Sequence, residues 1–274
     1  MNASVNNKGW NRTILKNFDE IQKDEFAWHK GYFMRNWDKQ VWKKNFNELK
    51  ERDNSLFMLG DLANKTILDI GCGEGMYLYT FLKMGAKEVK GIDLGPDFVA
   101  GANRLLKKYD LNGEAIVADC TTLPFGNSVF DIVYSGDVFE HITYEQKDKC
   151  LEEIFRVLKP GGIVAIKTPN LKYLKLTNFM RRIKVVFKLK NPFNVHIYHT
   201  HNNPDNEHIG LTSHAEMKEL FYNNTFHEPV IAYAPIVRKG FPKFLAKALK
   251  RNLWFNASVL MSARKPIFLG LYHD

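Results

Sequence analysis

From Lys65 onward, short apolar segments alternate with longer segments whose apolar residues recur at helical spacing. The short segments predict β-strands, because each is bounded by glycine, proline or polar residues; the first five cover residues 66–70, 89–93, 114–118, 130–135 and 163–168. The helical spacing predicts helices over residues 76–84, 96–109 and 143–158. Strands that alternate with helices favour right-handed crossovers and a parallel, doubly wound sheet.

Two helix starts carry capping boxes, in which a hydroxyl residue and an acid or amide three positions later satisfy each other's backbone amides. Thr143 and Gln146 form the first box, and Ser213 and Glu216 form the second, which opens a helix expected to reach about Asn224. Residues 230–234 and 257–263 then predict the last two strands.

The alternation leaves three segments over. Residues 1–64 are aromatic and polar and predict a helical N-terminal extension. Residues 65–274 are expected to form the main domain, interrupted at 170–212 and 235–254 by two basic insertions that would form a lid over the active site.

The first strand runs into a glycine-rich turn, Gly71-Cys72-Gly73-Glu74-Gly75, that precedes a helix. Such a turn lets a ligand approach the backbone and presents free amides at the helix N-terminus. Nicotinamide-binding proteins use a related turn, but their third glycine would fall at Met76. Asp69 precedes the turn, where a carboxylate repels pyrophosphate but suits a ligand with a sulfonium or amino group.

Together with this turn, four further segments resemble the class I S-adenosylmethionine-dependent methyltransferases, specifically their "type 11" group. The segments follow in the family's order at Asp93, at Ala118-Asp119-Cys120 with Leu123-Pro124-Phe125, at residues 130–133, and at residues 158–162. The resemblance covers residues 65–170 and implies a Rossmann-like α/β fold. Its doubly wound seven-stranded sheet would be mostly parallel, with an antiparallel last strand.

The resemblance also implies how S-adenosylmethionine would be bound. Asp93 would accept hydrogen bonds from both ribose hydroxyls, and Asp119 would accept one from the adenine amino group. The Cys120 backbone would contact the adenine ring. The further expected cofactor contacts are Asp69, Gly71, Cys72, Gly73, Leu94 and Ser135.

Methyl transfer from a sulfonium is an in-line displacement, so positioning supplies much of the acceleration, but a hydroxyl acceptor also needs a base or a metal. Asp137, Glu140 and His141 are similar in spacing to an acidic element of ubiquinone-biosynthesis O-methyltransferases that is linked to a divalent ion such as Mg²⁺. They are the candidate metal ligands, with His141 also a candidate base. The alternative is that Glu140 and His141 shape the pocket wall.

Four histidines fall in the first insertion: His196, His199, His201 and His208. A zinc site lacks support there, because the insertion has no cysteine and no helical histidine pair. His208, inside Asn206-Glu207-His208-Ile209-Gly210, is the preferred catalytic base, and surface histidines without a role are the alternative.

The net charge of +9 is unevenly distributed. Residues 171–204 hold seven Lys or Arg and no acid, and residues 229–273 hold eight more and no acid, which suggests an anionic partner. Phe179, Met180, Ile183, Val186 and Phe187 form an apolar stripe in the first stretch, as do Phe241, Phe244, Leu245, Ala248 and Leu249 in the second. Each basic amphipathic segment suits either a membrane interface or packing on the core.

The polar N-terminus lacks a signal core, and the three cysteines form no CxxC pair, so we expect a cytoplasmic protein that can lie at the inner face of the membrane. The leading hypothesis is a methyltransferase for a small-molecule or lipid-linked acceptor, at oxygen rather than nitrogen. An RNA or DNA methyltransferase and a non-catalytic cofactor-binding module are the alternatives.

Overall fold

The computed structural model describes residues 58–187, 209–235 and 256–267. Within these ranges lie seven strands: β1 Thr66–Ile70, β2 Glu88–Asp93, β3 Gly113–Val117, β4 Phe130–Gly136, β5 Leu158–Pro169, β6 His227–Pro235 and β7 Asn256–Arg264. Five helices accompany them: α1 Met76–Lys83, α2 Pro96–Lys108, α3 Tyr144–Val157, α4 Leu171–Phe187 and α5 His214–Asn223. A 3₁₀ turn spans Phe139–His141. Residues 1–57 of the helical extension predicted over 1–64 lie outside the described residues, as do the histidines at 196–208 and the stripe at 241–249.

The strands form one sheet in the order β3-β2-β1-β4-β5-β7-β6. The five strands from β1 to β5 pair in parallel, whereas β7 pairs antiparallel with both β5 and β6. The predicted Rossmann-like seven-stranded sheet with an antiparallel last strand is confirmed. The strand order reverses between β1 and β4, and in open parallel sheets ligands bind at the carboxyl ends of the strands beside such a reversal.

Helices cover both faces of the sheet, so the central strands β1 and β4 are buried along most of their length. On one face, Leu68, Val133 and Ile166 pack with α3 and α5 residues such as Leu151 and Leu220. On the other face, a second cluster joins Ile67, Val89 and Ile132 to α1 and α2 through Leu78 and Ala102.

Local signals fixed most helix ends. Both predicted capping boxes are present, at Thr143 with Gln146 and at Ser213 with Glu216. The predicted fifth strand is too short, because β5 begins at Leu158 directly after α3. The intervening glycines pair with the chain after β7, since the Gly161 amide donates to the Lys265 carbonyl and the Lys265 amide donates to the Gly162 carbonyl. Helix α3 therefore ends about where predicted, but the residues that follow it, 158–162, belong to strand β5.

Candidate functional site

The glycine turn after β1 is hydrogen-bonded to the end of β2. The amides of Gly71 and Cys72 both donate to the Ile92 carbonyl, at 2.8 and 2.9 Å. Gly71 and Gly73 have φ values of +75° and +50°, in the left-handed region that favours glycine. The turn predicted from the sequence is thus fixed by backbone bonds between neighbouring parallel strands.

The two glycines do different work. A Cβ atom on Gly71 would lie 2.2 Å from the Val138 side chain, whereas a Cβ on Gly73 would meet nothing within 4 Å. Gly71 is therefore required by packing, and Gly73 faces open space into which a ligand fits. The Cys72 side chain is buried, and burial raises the pKa of its thiol, so Cys72 offers a ligand only its backbone.

Asp93 connects this turn to the next one. Its Oδ2 accepts a hydrogen bond of 2.9 Å from the Gly73 amide, and its Oδ1 accepts one of 2.9 Å from the Gly95 amide. The carboxylate is partly buried, at the carboxyl end of β2 beside the open side of the glycine turn. That position suits the hydroxyl pair of a ribose, because a carboxylate accepts two charge-assisted bonds at once.

Asp69 is almost completely buried, and its Oδ2 has no hydrogen-bond partner among the described residues. Burial, together with the negative charge of Asp93, raises the pKa of the Asp69 carboxyl well above its usual value. A buried carboxylate in this state is costly unless a cation or donor meets it. The Ser135 hydroxyl, at the end of neighbouring β4, is likewise buried without a partner in the described part of the chain.

The predicted adenine-binding segment lies beyond β3. The Asp119 Oδ1 accepts bonds from the Thr121 amide at 2.8 Å and the Thr121 hydroxyl at 2.9 Å, so Asp119 shapes its own turn. The Cys120 side chain is buried, and a hydrogen bond with Cys150 lowers the pKa of its thiol, which leaves only its backbone for a ligand. Leu94, in contrast, is exposed by 68% at the end of β2, where an apolar ring could cover it.

The predicted metal ligands are not assembled into a site. Asp137 is paired with Lys167 at 2.9 Å, while Glu140 is buried and accepts a hydrogen bond of 3.2 Å from the Thr168 hydroxyl. No group of three or more His, Cys, Asp or Glu within the described ranges is placed to hold a metal ion. The described residues therefore lend no support to the Mg²⁺ site expected from Asp137, Glu140 and His141.

Burial raises the pKa of Glu140 to about 7, and the charge of Asp137 acts in the same direction. His141 follows in the same 3₁₀ turn and is partly exposed, so of these three residues it combines a basic side chain with access to solvent. His208, the preferred base from the sequence, lies outside the described residues.

Sequence reasoning missed one residue of this region, Lys147. Its side chain is fully buried, and its ammonium donates to the Gly210 carbonyl, while the Gly210 amide donates to the Glu140 carbonyl at 2.8 Å. Burial lowers the pKa of Lys147 to about 8, although Glu140 opposes that shift. The signal was available, because Lys147 precedes Cys150 and Leu151 by three and four residues and so shares the buried face of α3.

Comparison with known proteins agrees with this geometry. Residues 67–162 match the family described as "Methyltransferase domain". The chain resembles a solved S-adenosylmethionine-dependent methyltransferase from Methanosarcina mazei, with a TM-score of 0.56, 18% identity, and coverage of 78% of this chain and 97% of the other. That likeness shows the shared fold.

Two curated relatives show the range of acceptors. Phosphoethanolamine N-methyltransferase 1 of Triticum aestivum is 36% identical over 38% of this chain and 20% of its own length. The tRNA U34 carboxymethyltransferase of Cellvibrio japonicus is 34% identical over 42% of this chain and 36% of its own length. The matched region thus spans about a third or less of each relative.

The sheet order, the glycine turn and the acidic residues after β1 and β2 define a Rossmann-like methyltransferase fold. This is the fold of the methyltransferase domain family that residues 67–162 match.

Proposed function

We propose that this protein is an S-adenosylmethionine-dependent methyltransferase that transfers the methyl group to a hydroxyl of a small-molecule or lipid-linked acceptor. The buried Oδ2 of Asp69, without a partner in the described residues, carries the proposal. A carboxylate at the carboxyl end of β1 repels a pyrophosphate, and it gains most from a ligand that brings positive charge.

The neighbouring residues fit the rest of the same ligand. Asp93 would accept the ribose hydroxyls, the open side of Gly73 would admit the ligand against the backbone, and Leu94 would cover the adenine ring. Asp119 and the Cys120 backbone would hold the adenine edge, with Ser135 closing the pocket at the end of β4. Bound there, S-adenosylmethionine supplies an electrophilic methyl group.

The protein's part in the reaction is positioning and proton removal. The acceptor would enter at the ends of β4 and β5, beside the wall formed by Asp137, Glu140 and His141. As the acceptor oxygen bonds to the methyl carbon, the carbon–sulfur bond would break and a neutral thioether would leave, while His141 or His208 would take the proton of the hydroxyl.

Calorimetric titration of S-adenosylmethionine into wild type, Gly73→Ala and Gly85→Ala tests the cofactor assignment. Both glycines have positive φ, +50° at Gly73 and +97° at Gly85, and both have room for a Cβ, so each substitution strains the backbone without a steric clash, and Gly85→Ala strains it at least as much. Gly85 lies at the amino end of β2, remote from the proposed site. We expect Gly73→Ala to lose binding while Gly85→Ala keeps it; equal affinity in the two variants would contradict the assignment.

The acceptor is then found by metabolite profiling of a deletion strain. A species that lacks one methyl group should accumulate, and the purified enzyme should methylate it at oxygen. Methylation of the accumulated species at nitrogen or carbon by the purified enzyme would reject the oxygen assignment.

An RNA acceptor is the second candidate, favoured by the basic residues and by the likeness to a tRNA-modifying relative. It predicts tight RNA binding that weakens steeply with added salt. A non-catalytic module predicts cofactor binding without turnover.

A further inference from the structure

Helix α4 presents an apolar face to the outside of the molecule. Its exposed hydrophobic residues are Phe179, Met180, Ile183, Val186 and Phe187. These residues recur at the spacing of one helix face, and Phe187 is 84% exposed. For these five residues, core packing, one of the two alternatives left by the sequence, is wrong.

The opposite side of α4 is attached to the domain. Asn178 is buried there, and the helix packs against β7. At the start of the helix, buried Asn170 accepts hydrogen bonds from the Lys172 amide at 3.1 Å and the Leu174 amide at 3.0 Å. The apolar face is therefore held outward by contacts on the other side of the same helix.

The charge around this face selects the partner. Residues 171–187 contain five Lys or Arg and no Asp or Glu. Lys175 and Arg182 are exposed and, at 100° per residue, lie along one border of the apolar face. An apolar stripe bordered by cations suits the boundary between headgroups and acyl chains of an anionic lipid layer, where the two attractions add.

The helix also lies close to the acceptor entrance. It starts at Leu171, two residues after β5 ends at Pro169, on the edge of the sheet that carries Asp69 and Asp93. No helix in the described ranges is long and apolar enough to cross a membrane.

We propose that the outer face of α4 docks this protein on an anionic membrane surface, lying in the plane of the interface, and that the acceptor is taken from that surface. The second clause rests on the proposed methyltransferase function; the docking does not. Burial of the apolar face in the lipid layer and attraction of its bordering cations to anionic headgroups both contribute to binding. Membrane binding should therefore require both.

Flotation of the full chain with phosphatidylcholine vesicles, with and without phosphatidylglycerol, tests the docking in the absence of cofactor. We expect wild type to float with the anionic vesicles only, and less so as salt is added. The triple variant Phe179→Ser, Ile183→Ser, Phe187→Ser should lose flotation. The matched control Tyr222→Ser, Val230→Ser, Ile267→Ser removes three exposed hydrophobic residues from other elements and should float like wild type.

The charge contribution is tested separately by Lys175→Glu with Arg182→Glu, which should weaken partitioning at least about tenfold at low salt. Cofactor affinity, measured by calorimetry on all variants, should be unchanged, so a failure of the docking is distinguished from a failure of the proposed function.

Wild type that stays at the bottom of the gradient at low salt would overturn the proposal, as would a stripe variant that floats normally. If wild type does not float but is a dimer, and the triple variant is a monomer, the face would be assigned to a second copy of the chain. RNA binding that needs Lys175 and Arg182, again without flotation, would assign it to nucleic acid.

Discussion

The Oδ2 atom of Asp93 and the backbone amide of Gly73 are joined by a hydrogen bond of 2.9 Å that crosses from β2 to the turn after β1. The same carboxylate holds the Gly95 amide through its other oxygen. The position of Asp93 at the end of a strand suggests an exposed residue with a role in ligand binding and none in stability. The two bonds show that Asp93 also fixes the shape of the two turns through their own backbone amides.

Replacement of Asp93 by alanine should therefore have two effects. Cofactor affinity should fall by about 2–3 kcal/mol through lost charge-assisted bonds to ribose. The melting temperature without cofactor should also fall by several degrees, because two part-buried amides lose their acceptor. Calorimetry and thermal unfolding measure the two effects. Glu152→Ala, an exposed acid on α3, is the control and should change neither; an unaltered apo melting temperature for Asp93→Ala would contradict the structural role.

Asp69→Asn should give effects of opposite sign on stability and binding. The amide keeps the shape of the side chain but removes a buried carboxylate whose charge burial and Asp93 disfavour. We expect a higher melting temperature without ligand and an affinity for S-adenosylmethionine at least about tenfold weaker. A variant that binds as tightly as wild type would show that Asp69 does not meet the cofactor's positive charge.

Glu140 should make stability depend on pH. Its pKa is raised from 4.5 to about 7, so between these values the folded state holds a proton that the unfolded state has released. The stabilisation is fully present below about pH 4.5 and is lost as the pH rises through 7, by on the order of 3 kcal/mol at most. Urea unfolding across this range should show the decline in wild type.

Glu140→Gln should make that decline smaller, with buried Asp69 still contributing to it, whereas Glu152→Gln, an exposed control on α3, should leave it as in wild type. Identical pH profiles for wild type and Glu140→Gln would mean that Glu140 titrates normally, and its place in the buried wall beside Thr168 would then need another explanation.

The sequence alone predicted the parallel sheet and most helix ends, because these follow from local patterns, whereas the antiparallel last strand followed from the resemblance to a known family. Alternation of strand and helix patterns limits the topology, and a capping box such as Thr143 with Gln146 closes within four residues. The glycine turn was equally predictable, since its backbone conformation needs glycine.

The tertiary structure decided what no local pattern encodes. The different roles of Gly71 and Gly73 depend on Val138, which is far away in the chain, and the bond from buried Lys147 to Gly210 spans 63 residues. The sequence likewise did not determine which way the α4 stripe faces, because the same helical spacing of apolar residues is expected for a core-facing and for an outward-facing stripe. The contacts on the opposite face of the helix decide between the two.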